Sequence, residues 1–190
     1  MQRIYIFFGM VASGKSTLAR RFADRHQLPY YNTDRVRKEL AGLTPTSKKP
    51  EAVDQGIYSG EFTRQTYRTM LGNARNDLAA GKNGVVLDGS YHRRQDREQV
   101  RQTAADLGAG CMFICCTCSD EEVRRRLDMR ARDPQAVSDG RWEIYLVQKK
   151  SFEPPDELDS AELTVLNTEN DVEQLLAKLD AELAMNTRTM

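Results

Sequence analysis

The sequence predicts an α/β fold: one sheet of five parallel strands with helices on both faces. Three observations predict it. Short apolar runs recur along the chain, helical stretches separate them, and turn residues mark the junctions. The first run, Ile4-Tyr5-Ile6-Phe7-Phe8, lies within residues 3–8 and reads as a buried strand. Residues 15–26 follow as a helix, with Leu18, Ala19 and Phe22 at helical spacing. A short second strand spans 29–32. Thr33 or Asp34 can cap a helix over 34–41 by accepting from its free first-turn N–H groups, and Gly42 stops it. Thr44 to Pro50 is a polar loop holding two prolines. Residues 59–80 read as a helix closed by Gly81, and Val85-Val86-Leu87 as a third strand ending at Asp88-Gly89. A helix over 93–107 stops at Gly108, and 111–117 form the fourth strand. Ser119 with Glu122 three residues on is a capping box for a helix to about 130, broken by Asp133-Pro134. Residues 140–151 are helical up to Pro154-Pro155. Leu163-Thr164-Val165-Leu166 is the fifth strand, 170–184 the last helix, and 186–190 a loose end.

A length of 190 residues suits a single domain, 1–190. An apolar share of 39% with 29% charged residues fits a soluble globular chain. Basic and acidic residues balance at 28 each, which argues against bulk-charge binding of nucleic acid, although a local basic groove stays open. No apolar run reaches the ~18–20 residues of a membrane span, and the N-terminal run is too short for a signal peptide. The expectation is a cytoplasmic protein that does not engage a membrane. Cys111, Cys115, Cys116 and Cys118 share one β-type apolar stretch, with no second Cys pair or His pair to complete a zinc set. They read as inert strand thiols.

The stretch Gly9-Met10-Val11-Ala12-Ser13-Gly14-Lys15-Ser16 matches G-x-x-x-x-G-K-[ST], between the first strand and the first helix. Gly9 ends the strand in a tight turn, and small residues let backbone N–H groups wrap phosphates. Gly14 permits close approach, and Lys15 reaches the β- and γ-phosphates. Ser16 offers a hydroxyl to Mg²⁺, and the helix start adds its positive end. The expected nucleotide-binding set is Gly9, Val11, Ala12, Ser13, Gly14, Lys15, Ser16 and Thr17, with ATP and Mg²⁺ as cofactors.

From this motif onward the chain resembles P-loop kinases of the polynucleotide-kinase-like and adenylate-kinase-like group, over residues 3 to about 168. Three short segments carry the likeness. In Asn32-Thr33-Asp34-Arg35-Val36-Arg37, the resemblance implies that Asp34 faces the acceptor hydroxyl, with Arg37 one turn later on the same face. In Val85-Val86-Leu87-Asp88-Gly89-Ser90, it implies that Asp88 holds Mg²⁺ through water or orients the acceptor. Arg93, Arg94 and Arg97 follow and can frame the acceptor site, Arg93 foremost. In Val123 to Arg132, it implies the start of a lid, approximately 124–140, whose Arg126 and Arg130 close over the phosphates. Read as an ordinary charged helix, the same stretch pairs Glu121 and Glu122 with Arg125 and Arg126. The resemblance also implies that Asn167-Thr168, after the last strand, sit where the adenine is contacted. Trp142 and Tyr145, at helical spacing, read as packing.

The likeness implies strand order 2-3-1-4-5, with the site at the carboxyl ends of the strands. It implies a kinase that moves the γ-phosphate of ATP to a small-molecule hydroxyl, with Lys15, Asp34, Arg126 and Arg130 catalytic. Asp34, Arg37, Asp88 and Arg93 then bind the acceptor, and Ser16 and Asp88 the metal. Two alternatives stay open. One is a polynucleotide 5′-hydroxyl kinase, with nucleic acid as acceptor only. The other is a regulatory ATPase without an acceptor. Neither the acceptor nor the oligomeric state is legible in the sequence.

Overall fold

A central strand must be apolar on both faces, and β1 (Arg3–Phe8) is. The computed structural model describes residues 1–47, 55–133 and 135–186. Its further elements are α1 (Lys15–His26), β2 (Tyr30–Asn32), α2 (Thr33–Leu40), a 3₁₀ turn at Gly56–Tyr58, α3 (Gly60–Ala79), β3 (Gly84–Asp88), α4 (Arg94–Asp106), β4 (Gly110–Thr117), α5 (Asp120–Ala131), α6 (Trp142–Ser151), β5 (Leu163–Asn167) and α7 (Val172–Asn186). All pairings are parallel and the order is β2-β3-β1-β4-β5, as the resemblance implied.

Successive side chains of a strand point to opposite faces, so β1 feeds two cores. Ile4, Ile6 and Phe8 pack with Met70 and Ala74 of α3 and Val100 of α4. Phe7 packs on the other face with Leu18 and Phe22 of α1 and Leu175, Leu176 and Leu179 of α7. At the sheet edge, β5 alternates instead: Thr164 and Leu166 are buried while Val165 is exposed. Ile6→Ala would remove fully buried methyl groups at the centre of the sheet. We expect a loss of about 2–5 kcal/mol, read from urea unfolding.

The strands and helices fall within a few residues of the sequence reading, and three local expectations are corrected. The cap of α2 is Asn32, whose Oδ1 accepts from the N–H groups of Asp34 and Arg35, each at 3.1 Å. Asn32 is extended and Thr33 is already helical, so neither Thr33 nor Asp34 serves as the cap. The capping box at α5 is half formed. Ser119 Oγ accepts from Glu122 N–H, but the Glu122 carboxylate turns to Arg125 and Arg126, and Ser119 N–H donates to Glu169. Two guanidinium groups outcompete one neutral N–H for a carboxylate. Arg125 therefore pairs with Glu122, not Glu121. Pro134, the end of the polar loop from residue 48 and the tail after 186 lie outside the described residues.

The four cysteines are free thiols. Burial pushes Cys115 up to about 11 and Cys111 up to about 12, so neither is a ready nucleophile at neutral pH. Trp142 and Tyr145 stack at 5.0 Å, and Tyr145 is buried. Among the described residues no helix is long and apolar enough to cross a membrane.

Candidate active site

The phosphate loop lies where the sheet demands it, at the carboxyl end of β1 between β3 and β4. Gly9 has φ 143°, and a Cβ there would meet the Cys116 carbonyl oxygen at 2.3 Å. Gly14 has φ 81°, and its Cβ would meet Thr168 Oγ1 at 2.7 Å and Arg126 Nη1 at 2.8 Å. Only glycine fits either place. Gly14 is also the N-cap of α1 and offers no side-chain acceptor, so the first-turn N–H groups are left for a ligand. Ala12 adopts the left-handed region at φ 61°, a strained conformation at a loop that must curl around something.

Val11, Ala12, Gly14, Lys15, Ser16 and Thr17 line a cavity of about 970 Å³. Gly9 and Ser13 do not; they form the loop's underside, where Ser13 is 2% exposed. Lys15 Nζ donates to the Met10 carbonyl at 3.1 Å. Burial lowers its pKa below the ordinary value, opposed by the carboxylates of Asp88 and Asp34. A cation held at this cost is suited to a permanently anionic ligand.

The two expected lid arginines part company. Arg126 is committed to the loop scaffold. It donates to Ala12 O at 3.2 Å, Thr168 Oγ1 at 2.9 Å, Thr168 O at 2.7 Å and Glu122 Oε1 at 2.7 Å. The Thr168 hydroxyl in turn donates to Ser13 O at 2.7 Å. Both arginines line the cavity, but the Arg130 guanidinium makes no hydrogen bond or ion pair among the described residues. Burial lowers its pKa, and the charge of Asp34 opposes this. Arg124 instead lies 4.3 Å over the Trp142 ring.

On the far wall, the cap at Asn32 leaves the Asp34 carboxylate free to face the cavity. Asp34 Oδ1 accepts from Arg37 Nη1 at 3.3 Å, and Arg37 Nη2 donates to Thr63 Oγ1 at 3.3 Å. The Arg37 guanidinium lies 4.9 Å over the ring of Tyr58, whose hydroxyl donates to Asp139 at 2.5 Å. Lys38, fully buried, binds the same carboxylate at 3.2 Å and the Val137 carbonyl at 2.6 Å. This ties residues 137–139, between α5 and α6, to α2. Gly140 then sits against the phosphate loop, since a Cβ there would lie 2.2 Å from Val11 Cγ2. Gly140→Ala should therefore cost about 1–3 kcal/mol by overpacking, read from urea unfolding.

The loop after β3 supplies Ser90, His92 and Arg93, with Asp96 behind them. Tyr91 holds φ 39°, and its N–H donates to Tyr67 Oη at 3.1 Å. Burial lowers the pKa of His92, and Arg93 adds to this, which favours a neutral imidazole. Arg97 is no part of the cavity. It is fully buried in an ion pair with Glu157 at 2.5 Å, which corrects the reading of it as an acceptor residue. Arg94 does not line the cavity either. Asp88 is fully buried and does not line the cavity. Its Oδ2 accepts from Tyr30 Oη and Asn32 Nδ2, each at 2.6 Å. Its Oδ1 has no hydrogen-bond partner among the described residues.

A parallel sheet in this order, with a glycine-rich phosphate loop between β1 and α1, defines a P-loop nucleotide-binding fold. The chain belongs to the AAA_33 family, an AAA domain, over residues 4–155. It is 31% identical over 129 residues to the uncharacterized protein Rv2004c of Mycobacterium tuberculosis and, equally, to Mb2027c of Mycobacterium bovis. Those 129 residues are 68% of this chain but 26% of either relative, so the chain spans about a quarter of their length. Among solved structures it resembles an unliganded sugar kinase from Janibacter sp. HTCC2649, with a TM-score of 0.68 at 18% identity, covering 97% of this chain and 95% of that one. It also resembles the APS kinase CysC of M. tuberculosis in complex with AMPPNP and APS, with a TM-score of 0.65 at 17% identity, covering 96% and 97%. A third is a gluconokinase from Sinorhizobium meliloti 1021, with a TM-score of 0.62 at 17% identity, covering 97% and 92%. These likenesses establish the fold.

The sequence pointed to the loop and to Asp34, Arg37, Arg93, Arg126 and Arg130, which all line the cavity. It missed Tyr58, Asp139 and Gln148, which reach the cavity from separate segments with no motif of their own, and Lys38, buried behind Asp139.

Proposed function

We propose that this chain transfers the γ-phosphate of ATP to a hydroxyl of a small acceptor that also carries an anionic group. The observation that carries the reading is the single cavity bounded by the phosphate loop on one wall and the Asp34–Arg37 pair on the other. A regulatory ATPase has no need of the second wall. The acceptor hydroxyl attacks the terminal phosphorus as the bond to the bridging oxygen breaks. ADP leaves with that electron pair, and the hydroxyl proton passes to the Asp34 carboxylate. Lys15 and Arg130 offset the charge on the transferring group. Arg126 acts one step back, keeping the loop in shape.

The residues fit a magnesium ion. The Ser16 hydroxyl lines the cavity and would hold the ion, and Asp88, whose buried Oδ1 has no hydrogen-bond partner among the described residues and whose charge acts on Lys15, would support it through water. Held there, a magnesium ion would offset negative charge on the phosphates of the nucleotide.

Charge supports the anionic acceptor. Ten Lys and Arg side chains line the cavity against four Asp, in a chain of zero net charge. A magnesium nucleotide offsets only part of that excess. Arg64 and Arg93, toward the acceptor wall, have no ion pair among the described residues. The sugar kinase, gluconokinase and APS kinase that share the fold support a small acceptor over a polynucleotide.

The test is transfer of labelled γ-phosphate to matched acceptors: gluconate against glucose, glycerate against glycerol, and a 5′-hydroxyl oligonucleotide. Label on the anionic small molecules is expected. Label on the oligonucleotide alone would make the chain a polynucleotide kinase. Hydrolysis with no acceptor labelled would leave a regulatory ATPase.

A further inference from the structure

One side chain of α6 touches the phosphate loop directly. Gln148 Oε1 lies 2.7 Å from the Val11 backbone nitrogen. A backbone N–H can only donate, so the carbonyl end of the amide must face Val11. The NH₂ end is thereby turned away from that contact. It has no acceptor among the described residues, and Gln148 lines the cavity.

The position of Val11 decides what that NH₂ meets. The loop has two flanks. Over Ala12 to Gly14 lie Thr168 and Arg126. Over Val11 lie Gly140 and, beyond it, Arg130, whose Nη1 would be 3.5 Å from a Cβ on Gly140. Asp139, next to Gly140 in the chain, pairs with Lys38 of α2, the helix that carries Asp34, and the charge of Asp34 acts on Arg130 as well. The Val11 flank therefore faces the acceptor carboxylate. In a nucleotide laid along the loop, the end nearest that carboxylate is the terminal phosphate.

We propose that Gln148 is a further catalytic residue, which holds the loop at Val11 with its carbonyl and donates from its amide to an oxygen of the terminal phosphate. The inference rests on the nucleotide half of the function proposed above and not on the acceptor. A neutral donor suits the place. Lys15 and Arg130 already crowd the flank with positive charge, and an amide adds a hydrogen bond without adding repulsion. It also makes the docking of α6 a condition of a complete phosphate shell.

The test separates ADP from a triphosphate. Gln148→Glu keeps the shape and still accepts from Val11 N–H, but it turns the donor end into a carboxylate oxygen. Calorimetry on the whole chain would give Kd for ADP·Mg²⁺ and for AMPPNP·Mg²⁺. The expected result is AMPPNP weakened about tenfold or more, with ADP changed less than about twofold. Equal weakening of both would reduce Gln148 to a brace for the loop, and no change in either would remove it from the site; each outcome overturns the proposal. Gln148→Met covers a glutamate variant that fails to fold, and there the ratio of the two Kd values should fall in the same direction. Because no acceptor is present, failure of every acceptor in the transfer assay leaves this result readable.

Discussion

Asp34→Asn should lower phosphoryl transfer by about 10²–10⁴-fold while leaving ATP affinity nearly unchanged. The asparagine keeps the size of the side chain and can still accept from Arg37, now 3.3 Å from Asp34 Oδ1. What it loses is the ability to take a proton at the moment of attack. Helix α2 is not put at risk, because its cap is Asn32 and not Asp34. Folding and catalysis can thus be told apart at this position. Steady-state transfer to the best acceptor gives kcat and KM, and calorimetry gives the ATP affinity. A loss confined to kcat places the effect in the transition state. Lys15→Ala, by contrast, should weaken nucleotide binding as well, since the proposed reaction sets its ammonium group against the phosphates before and during transfer.

Glu157→Ala should destabilise the fold by about 3–5 kcal/mol, the largest single loss expected outside the apolar core. Arg97 is fully buried and meets Glu157 through two bonds, Nε to Oε1 at 2.5 Å and Nη2 to Oε2 at 3.1 Å. Its other donors go to the Tyr91 carbonyl at 2.9 Å and the Pro154 carbonyl at 3.3 Å, and its guanidinium lies 5.7 Å from the Phe8 ring. Removing the carboxylate leaves a guanidinium that cannot deprotonate and cannot reach water. Urea unfolding would read the loss. Acid should read it too. Burial raises the Glu157 pKa, but its bonds to Arg97 outweigh this and hold it below the ordinary 4.5. Its contribution is full above that value and is lost as pH falls through the lower folded value. The same pair also bears on function. Arg97 braces Tyr91 in its strained backbone, and Tyr91 stands between Ser90 and His92 on the cavity wall.

What was legible in the sequence was local. The apolar runs that became β1, β3 and β4 are nearly continuous, and such runs mark strands buried on both faces. The phosphate loop combines a fixed spacing with a strand before it and a helix after it. Asp34 and Arg37 sit three apart on one short helix, so their meeting followed from helix geometry alone. What was not legible depends on distant partners. Arg126 and Arg130 have the same spacing and the same chemistry on paper. Thr168, forty-two residues on, ties down Arg126, while Arg130 has no hydrogen-bond partner for its guanidinium among the described residues. Arg97 looked like any cation near the site until Glu157, sixty residues away, claimed it. Lys38 finds Asp139 across about a hundred residues, and Gln148 finds Val11 across 137. No periodicity or spacing encodes such pairings. Asn32 and Thr33 differ for a subtler reason: either residue type can cap, and only the backbone angles decide which one does.

In the proposed reaction, one cavity brings an ATP terminal phosphate to an acceptor hydroxyl beside Asp34. The most direct measurement follows the label of γ-labelled ATP through a single turnover, with the chain in excess and an anionic acceptor present, for the wild type and for Asp34→Asn. Label is expected on the acceptor oxygen in the wild type, and little in the variant while its ATP stays bound. Label recovered only as inorganic phosphate, at the same rate in both proteins, would contradict it.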